Sequence, residues 1–299
     1  MGFTGLARWL NAPPNGLQLI SDNIFRNHNG VYRGKWYLTV KSFRSTLGQI
    51  PGFNIPSERI ICALTMNDNV FVLLEDPLAP TRADISTNPP DGNVFQPTHY
   101  RNTFLTLSPP GALEQLLSQL KARWVPVRQS TTSNMAQRGQ GTGPQLVIEG
   151  HVFAIGSDWI VRVGNVILAG GAVKGMILEA EYLPLPTLKS PMADGTSELV
   201  SNLLISVLPN IKDARTLAIA ISDSQWEDFL WDREDEEREQ ELKADFQKDV
   251  EKHAADGVHY YGDEELPMKK NQKGDWTGVD RDRRSAYLII GSLRSETIL

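Results

Sequence analysis

The segment Glu179-Ala180-Glu181 places two carboxylates two positions apart in a stretch with strand character. Side chains at positions i and i+2 of a strand lie on the same face, about 6.5 Å apart along the strand. On the inner wall of a closed sheet, two such carboxylates would supply the oxygen ligands that a divalent cation prefers. The pair is therefore the sharpest candidate for catalytic chemistry in the chain.

The neighbouring residues favour a simpler interpretation of the same strand. Apolar residues alternate with the two glutamates and share the opposite face: Met176, Leu178, Ala180 and Tyr182. The alternation predicts that Glu179 and Glu181 face water. Arg162, on a nearby strand, is then expected to pair with one of them and to contribute at most about 1 kcal/mol at the surface.

No other catalytic or metal-binding pattern stands out. Five histidines are scattered through the sequence without metal-ligand spacing: His28, His99, His151, His253 and His259. A nucleophile elbow of the G-x-S-x-G type is absent. The glycines between 139 and 143 lack the Lys-Ser/Thr of a phosphate-binding loop. The prediction is therefore that the chain has no catalytic, cofactor-binding or metal-binding residues and needs no cofactor.

Composition narrows the class of protein. The 299 residues carry a net charge of −6, which argues against a freestanding nucleic-acid binder. No apolar run approaches the roughly 20 residues that span a bilayer, and no secretory signal is visible, so no membrane association is expected. The one cysteine, Cys62, cannot form an internal disulfide, which fits a reducing compartment such as the cytosol or nucleus.

The elements that would position the acid pair are strands. From Gln145 to Leu183, runs of strand length are separated by Gly, Asn, Ser or Asp, which predicts five short strands with a hairpin turn at Gly164-Asn165. A meander of this density usually closes on itself. The predicted fold class is α+β, an antiparallel β-barrel with flanking α-helices.

Further elements are predicted on both sides of the meander. Strands are expected near the N-terminus, over 35–43, in a hairpin of 59–66 with 70–74, and over 100–107. Apolar residues at helical spacing predict helices beginning near Leu17 and Leu113, over 196–208, and over the last segment around Ala286 to Leu293.

Two segments look like insertions into a single domain of residues 1–299. Residues 129–145 are rich in Ser, Thr, Gly and Gln and are predicted to be a flexible insertion. The acidic stretch from Trp226 to Asp256 holds thirteen Asp or Glu and five Lys or Arg, a local charge of −8. It predicts a long solvated helix, and the whole of 226–280 is expected to form an acidic helical or loop insertion.

The meander resembles that of subunit 20 of the Mediator complex of RNA polymerase II transcription. The likeness rests on Asp158–Val166 and Lys174–Tyr182, that is, an acidic–aromatic–aliphatic–Val–basic–Val–Gly hairpin followed by a Gly-aliphatic-Glu strand. The opening residues, the strand at 36–44, the hairpin at 59–75 and the helices near 116–124 and 287–293 agree in order. Together these segments cover roughly half of the chain.

This resemblance implies a non-enzymatic coactivator subunit that acts as a protein–protein scaffold. Members of the family are β-barrels flanked by helices. They pair with Mediator subunit 18 and reach the rest of the head module through subunit 8. The implied location is the nucleus, without direct sequence-specific binding to nucleic acid. No interface residue of this chain follows from the likeness.

The alternative is a tunnel-type, metal-dependent triphosphate hydrolase that uses Glu179 and Glu181. Such enzymes, whose fold is similar to that of the Mediator subunits, carry an E-x-E pair together with inward Lys and Arg residues. This chain departs from their pattern at Leu183, where they continue with a basic residue.

Overall fold

The computed structural model describes residues 3–46, 58–87, 97–119, 124–127, 145–184, 197–208, 216–219 and 279–295. The strands are β1 (Phe3–Trp9), β2 (Val31–Ser45), β3 (Ile60–Met66), β4 (Asn69–Glu75), β5 (Asn102–Leu107), β6 (Trp124–Pro126), β7 (Leu146–Ile155), β8 (Trp159–Ile167), β9 (Val173–Tyr182) and β10 (Thr216–Ile219). The helices are α1 (Gly16–Asn27), α2 (Arg82–Thr87), α3 (Ala112–Gln119), α4 (Glu198–Val207) and α5 (Val279–Ser295).

All ten strands belong to one antiparallel sheet in the order β10-β1-β9-β8-β7-β2-β3-β4-β5, with β6 paired to β2 beside this path. The N-terminal strand β1 lies between β9 and β10, so the sheet joins distant parts of the chain. The predicted α+β class with a large antiparallel sheet is confirmed. Among the described residues β5 and β10 do not pair with each other, so closure into a barrel is not established.

Helices cover both faces of this sheet. On one face, apolar residues of β1 to β5 and β7 to β9 pack around α5, which contributes Ala286, Leu288, Ile289, Ile290 and Leu293. On the other face, α1 and α4 pack over β1 and β7 to β9, while α3 packs over β2 to β4. Because α5 is buried on nearly all sides between 284 and 293, it behaves as an interior helix rather than a surface one.

The helices and strands outside the meander are largely where the sequence predicts them. The predicted helices near Leu17, near Leu113, over 196–208 and at the C-terminal end correspond to α1, α3, α4 and α5. The hairpin is confirmed as β3 and β4, which turn at Asn67-Asp68 with Asn67 at a φ of 54°. Both predicted insertions, 129–145 and 226–280, lie almost entirely outside the described residues.

The prediction of five short strands in the meander is wrong, because three long strands occupy that segment. The chain stays in strand conformation through Gly150 and through Gly164-Asn165, with only a register shift against β9 between Asn165 and Ile167. The real turns fall at 156–158 and 168–172. Gly150 and Gly164 lie directly opposite each other in the β7–β8 pair. A Cβ atom on Gly150 would lie 1.8 Å from the Val163 carbonyl oxygen, so this glycine permits close approach of the two backbones.

In the part of the chain that the structure describes, no helix combines the length and the apolar character needed to cross a membrane.

Candidate functional site

The two glutamates of the E-x-E segment lie on the face of β9 that α5 covers. Both are buried, with residue exposures of 0% for Glu179 and 2% for Glu181. The alternation along β9 is as predicted, since Met176, Leu178 and Ala180 pack on the opposite face against α1 and α4. The prediction that the glutamates face water is wrong, because α5 covers the second face of the strand.

Strand register brings an arginine to the same place. Arg162 of β8 lies opposite Glu179 of β9, and Glu181 is its diagonal neighbour. Arg162 Nη1 donates to Glu179 Oε1, and Arg162 Nη2 lies 3.4 Å from Glu181 Oε2. The predicted pairing of Arg162 with the glutamates is therefore present, but it is a buried ion pair. The surface magnitude of about 1 kcal/mol does not apply, since losing one partner of a buried pair costs about 3–5 kcal/mol.

Helix α5 supplies the remaining donors. Arg281, Arg284 and Ser285 are spaced i, i+3 and i+4, which places them on one side of the helix. Arg281 Nε lies 2.6 Å from Glu181 Oε1, and Ser285 Oγ donates to Glu179 Oε2. We call Glu179, Glu181, Arg162, Arg281, Arg284 and Ser285 the acid–arginine cluster. Every carboxylate oxygen of the two glutamates has a donor within it.

Charge and burial act in opposite directions on the arginines of this cluster. Burial tends to lower the pKa of Arg162, but the charges of Glu179 and Glu181 outweigh it, so the pKa of Arg162 is raised. Burial lowers the pKa of Arg284 to about 10, against the opposing attraction of Glu181 and Glu179. Arg8 of β1 is also fully buried on this face, where Nη2 lies 3.1 Å from the Lys174 carbonyl oxygen.

Contacts at both ends of α5 fix its position over the glutamates. Near the N-terminal end, Asn67 Nδ2 donates to Asp282 Oδ2 at 2.8 Å, which ties the helix to the β3–β4 turn. Near the C-terminal end, Arg294 pairs with Glu75 of β4. Solvent reaches the cluster near the N-terminal end of α5, where the Arg281 side chain is 27% exposed and that of Arg162 is 13% exposed.

The arrangement is suited to binding a phosphate group. Guanidinium groups recognise phosphate oxygens through paired hydrogen bonds, and buried carboxylates hold such groups in a fixed orientation. A divalent cation fits this donor set poorly, because the carboxylate oxygens already face donors. The described residues also contain no group of three or more acidic, histidine or cysteine side chains placed to bind a metal.

The other residues considered from the sequence do not join this cluster. His99 Nε2 lies 2.8 Å from Asp76 Oδ2, His151 contacts Ser21, and His28 contacts the Ser206 carbonyl oxygen. His253 and His259, together with the glycines of 139–143, lie outside the described residues. Cys62 is buried beside Ser42, and burial raises the pKa of its thiol.

Sequence reasoning missed the α5 contribution. The signal was the run Arg281-Asp282-Arg283-Arg284 at the start of an otherwise apolar helix. Charged residues are rarely fully buried unless they are paired, so arginine inside a buried helix indicates acidic partners. The pattern does not say which acids those are.

Comparison with known proteins found no matching family model and no matching curated protein. Among solved structures, a putative adenylyl cyclase from Hippeastrum with a dominant triphosphatase activity is similar to this chain, with 11% sequence identity and a TM-score of 0.34. The match covers 71% of this chain and 93% of that chain. A protein from Pyrococcus horikoshii is similar with 11% identity and a TM-score of 0.31, over 69% of this chain and 88% of that chain. The Mimivirus capping enzyme triphosphatase is similar with 9% identity and a TM-score of 0.24, over 68% of this chain and 88% of that chain.

These findings contradict the prediction of a non-enzymatic Mediator scaffold. Two of the three structures are named for triphosphatase activity, and none of the three names refers to a transcription complex. The physical reason for setting an enzyme aside, that Glu179 and Glu181 face water, also fails. With TM-scores below 0.5, the similarities themselves carry no argument about the reaction of this chain, which depends on the cluster alone.

Proposed function

We propose that the protein binds the triphosphate group of a nucleotide, or inorganic tripolyphosphate, at the acid–arginine cluster and hydrolyses its terminal phosphoanhydride bond. The observation that carries this proposal is the burial of Glu179 and Glu181 beside Arg162, Arg281 and Arg284 on one sheet face. An acid can handle a proton and an arginine can stabilise phosphate charge, and phosphoryl transfer uses both of these functions.

The geometry assigns separate roles to the members of the cluster. The Arg281 side chain is more exposed than that of Arg162, so Arg281 exchanges its contact with Glu181 for a phosphoryl oxygen when substrate enters. The freed Glu181 oxygen accepts a proton from the attacking water, whose oxygen bonds to the terminal phosphorus. The bond from that phosphorus to the bridging oxygen breaks, and the shortened phosphate chain leaves with the electron pair. Arg162 remains between Glu179 and Glu181 and holds their orientation.

The same proposal includes closure of the sheet into a barrel around α5. It is supported by the burial of α5 on nearly all sides, which a flat sheet on one side of the helix would not produce. In such a barrel the apolar half of α5 fills the interior. Substrate then enters only at the end where Arg281 is exposed.

The test is phosphate release from tripolyphosphate and from ATP, measured with and without Mg²⁺ or Mn²⁺. We expect Glu181→Gln to lower the rate about 100-fold or more, in the range of a lost general base. Glu149→Gln is the matched control, since Glu149 is an exposed glutamate on β7 and lies outside the cluster. Melting temperatures of both variants show whether folding is preserved. Equal rates for wild type and Glu181→Gln, or no release from either substrate, would contradict the proposal.

The resemblance to the Mediator subunit 20 family stays a prediction from sequence, as do the pairing with subunit 18, the contact with subunit 8 and the nuclear location. Co-expression with a subunit 18 homologue tests the pairing directly. A stable complex with an interface above about 1,000 Å² would support the pairing, and strictly monomeric behaviour would contradict it.

A further inference from the structure

The alternative function considered from the sequence was a tunnel-type triphosphate hydrolase, in which a divalent cation binds to the acid pair. The acid pair of this chain is arranged differently. Mg²⁺ usually keeps several waters and is bound through one or two carboxylates together with substrate phosphates, so its site needs carboxylate oxygens that are free to face the ion. Glu179 and Glu181 are the two carboxylates that would have to provide them here. No third acidic, histidine or cysteine side chain joins them in a metal-binding group among the described residues.

The four carboxylate oxygens are also already engaged. Glu179 accepts from Arg162 at Oε1 and from Ser285 at Oε2. Glu181 accepts from Arg281 at Oε1 and lies within 3.4 Å of both Arg162 amino groups at Oε2. Arg162 therefore occupies the space between the two carboxylates, which is where a shared cation would have to bind.

Charge balance leads to the same conclusion. Glu179, Glu181 and the nearby Asp282 carry three negative charges, and Arg162, Arg281 and Arg284 carry three positive charges, so the cluster together with Asp282 is neutral. A divalent cation would add two uncompensated charges to a buried site, which is costly.

We infer that guanidinium groups take the place of a divalent cation at this acid pair, so that Arg162 and Arg281 hold a phosphate chain at the cluster without a metal ion. Arg162 has the position of the missing cation because it contacts both glutamates from the neighbouring strand. Arg281 is the exchangeable member because it is the more exposed of the two. The part of this inference that concerns phosphate depends on the proposed function, whereas the metal-free state of the acid pair does not.

The first experiment is a titration of the full chain with MnCl₂ alone. Calorimetry measures the heat of binding, and electron paramagnetic resonance measures the free Mn²⁺. Weak binding elsewhere on an acidic protein is subtracted by comparing the wild type with the Glu179→Gln/Glu181→Gln variant and with Glu149→Gln. We expect the three titrations to coincide. A saturable Mn²⁺ site that is present in the wild type and in Glu149→Gln but lost in the double variant would overturn the inference.

The second experiment measures tripolyphosphate binding in EDTA and in Mn²⁺. We expect the two dissociation constants to agree within about twofold, and we expect Arg281→Ala to weaken binding about 10-fold or more in both. A requirement for Mn²⁺ that exceeds tenfold would overturn the inference. Absence of tripolyphosphate binding under both conditions would contradict the proposed function, while the MnCl₂ titration would still decide whether the acid pair binds metal.

Discussion

Close packing at single residues decides local structure in this sheet more than turn propensity does. Glycine marks both turns and sites of close backbone approach, and the sequence does not distinguish the two. At Gly150 and Gly164 the structure shows the second use, since the two face each other in a continuous strand pair. Gly156 and Gly171, at φ values of 60° and 82°, are the turn glycines of this segment.

We predict that Gly150→Ala lowers the free energy of unfolding by about 2 kcal/mol or more. The new Cβ would lie 1.8 Å from the Val163 carbonyl oxygen, so the two backbones must separate. Gly291→Ala in α5 is the control, because nothing lies within 4 Å of its added Cβ and alanine favours a helix by about 0.5–1 kcal/mol. Urea denaturation measures both. A Gly150→Ala protein as stable as Gly291→Ala would show that the backbones do not approach so closely.

Residue patterns also explain how much of the cluster the sequence could predict. The alternation along β9 correctly separates Glu179 and Glu181 from Leu178 and Ala180. Which of two faces meets water depends on what packs against each, and α5 lies about 100 residues further along the chain. Arg162 could be placed near the glutamates from the order of strands, whereas Arg281 and Ser285 could not.

Individual elements are held in register by polar contacts as well as by apolar packing. Asp76 follows β4 and is buried, where it accepts hydrogen bonds from His99 and from the Leu78 backbone and pairs with Arg59. These contacts tie the segment before β5 and the beginning of β3 to the end of β4. Apolar spacing places the beginnings of α1 and α3 and both ends of α4 within about two residues, but it misses the polar first turns of α5. Contacts between separate segments have no local sequence signal.

We predict a loss of about 1–3 kcal/mol of stability for Asp76→Asn at pH 7, because charged hydrogen bonds are replaced by neutral ones. Burial alone would raise the pKa of Asp76, but the hydrogen bonds from His99 and Leu78 and the charge of Arg59 outweigh it, so the pKa is lowered. A lowered folded-state pKa gives stability that is present above the unfolded value of about 3.9 and lost as pH falls through the folded value.

Urea denaturation at pH 7 and at about pH 3 checks this prediction. The difference between wild type and Asp76→Asn should begin to shrink at the lower pH, because the carboxyl of the unfolded wild-type chain is protonated there while that of the folded chain still resists protonation. Asp158→Asn, in the exposed β7–β8 turn, should change stability by less than about 0.5 kcal/mol at either pH. A stability difference for Asp76→Asn that is independent of pH would mean that its charge contributes nothing.

At the scale of the whole molecule, one helix organises both the apolar interior and the candidate site. The C-terminal half of α5 supplies apolar residues to the core formed by β1 to β5 and β7 to β9, while its N-terminal half supplies donors to Glu179 and Glu181. Its contacts with β1, β3 and β4 join residues more than 200 positions apart. Such contacts cannot be inferred from spacing in the sequence, which is why the helix was predicted but its interior location was not.

We predict that Ile289→Ala, at a fully buried position in the middle of α5, lowers the free energy of unfolding by about 2–5 kcal/mol. Ile205→Ala is the matched control, since Ile205 of α4 is 66% exposed and its replacement should change stability by less than about 0.5 kcal/mol. Because α5 also positions Arg281 and Ser285, tripolyphosphate binding by Ile289→Ala should weaken while binding by Ile205→Ala stays unchanged. Equal unfolding midpoints for the two variants would place α5 outside the interior, and the acid–arginine cluster would lose the element that builds it.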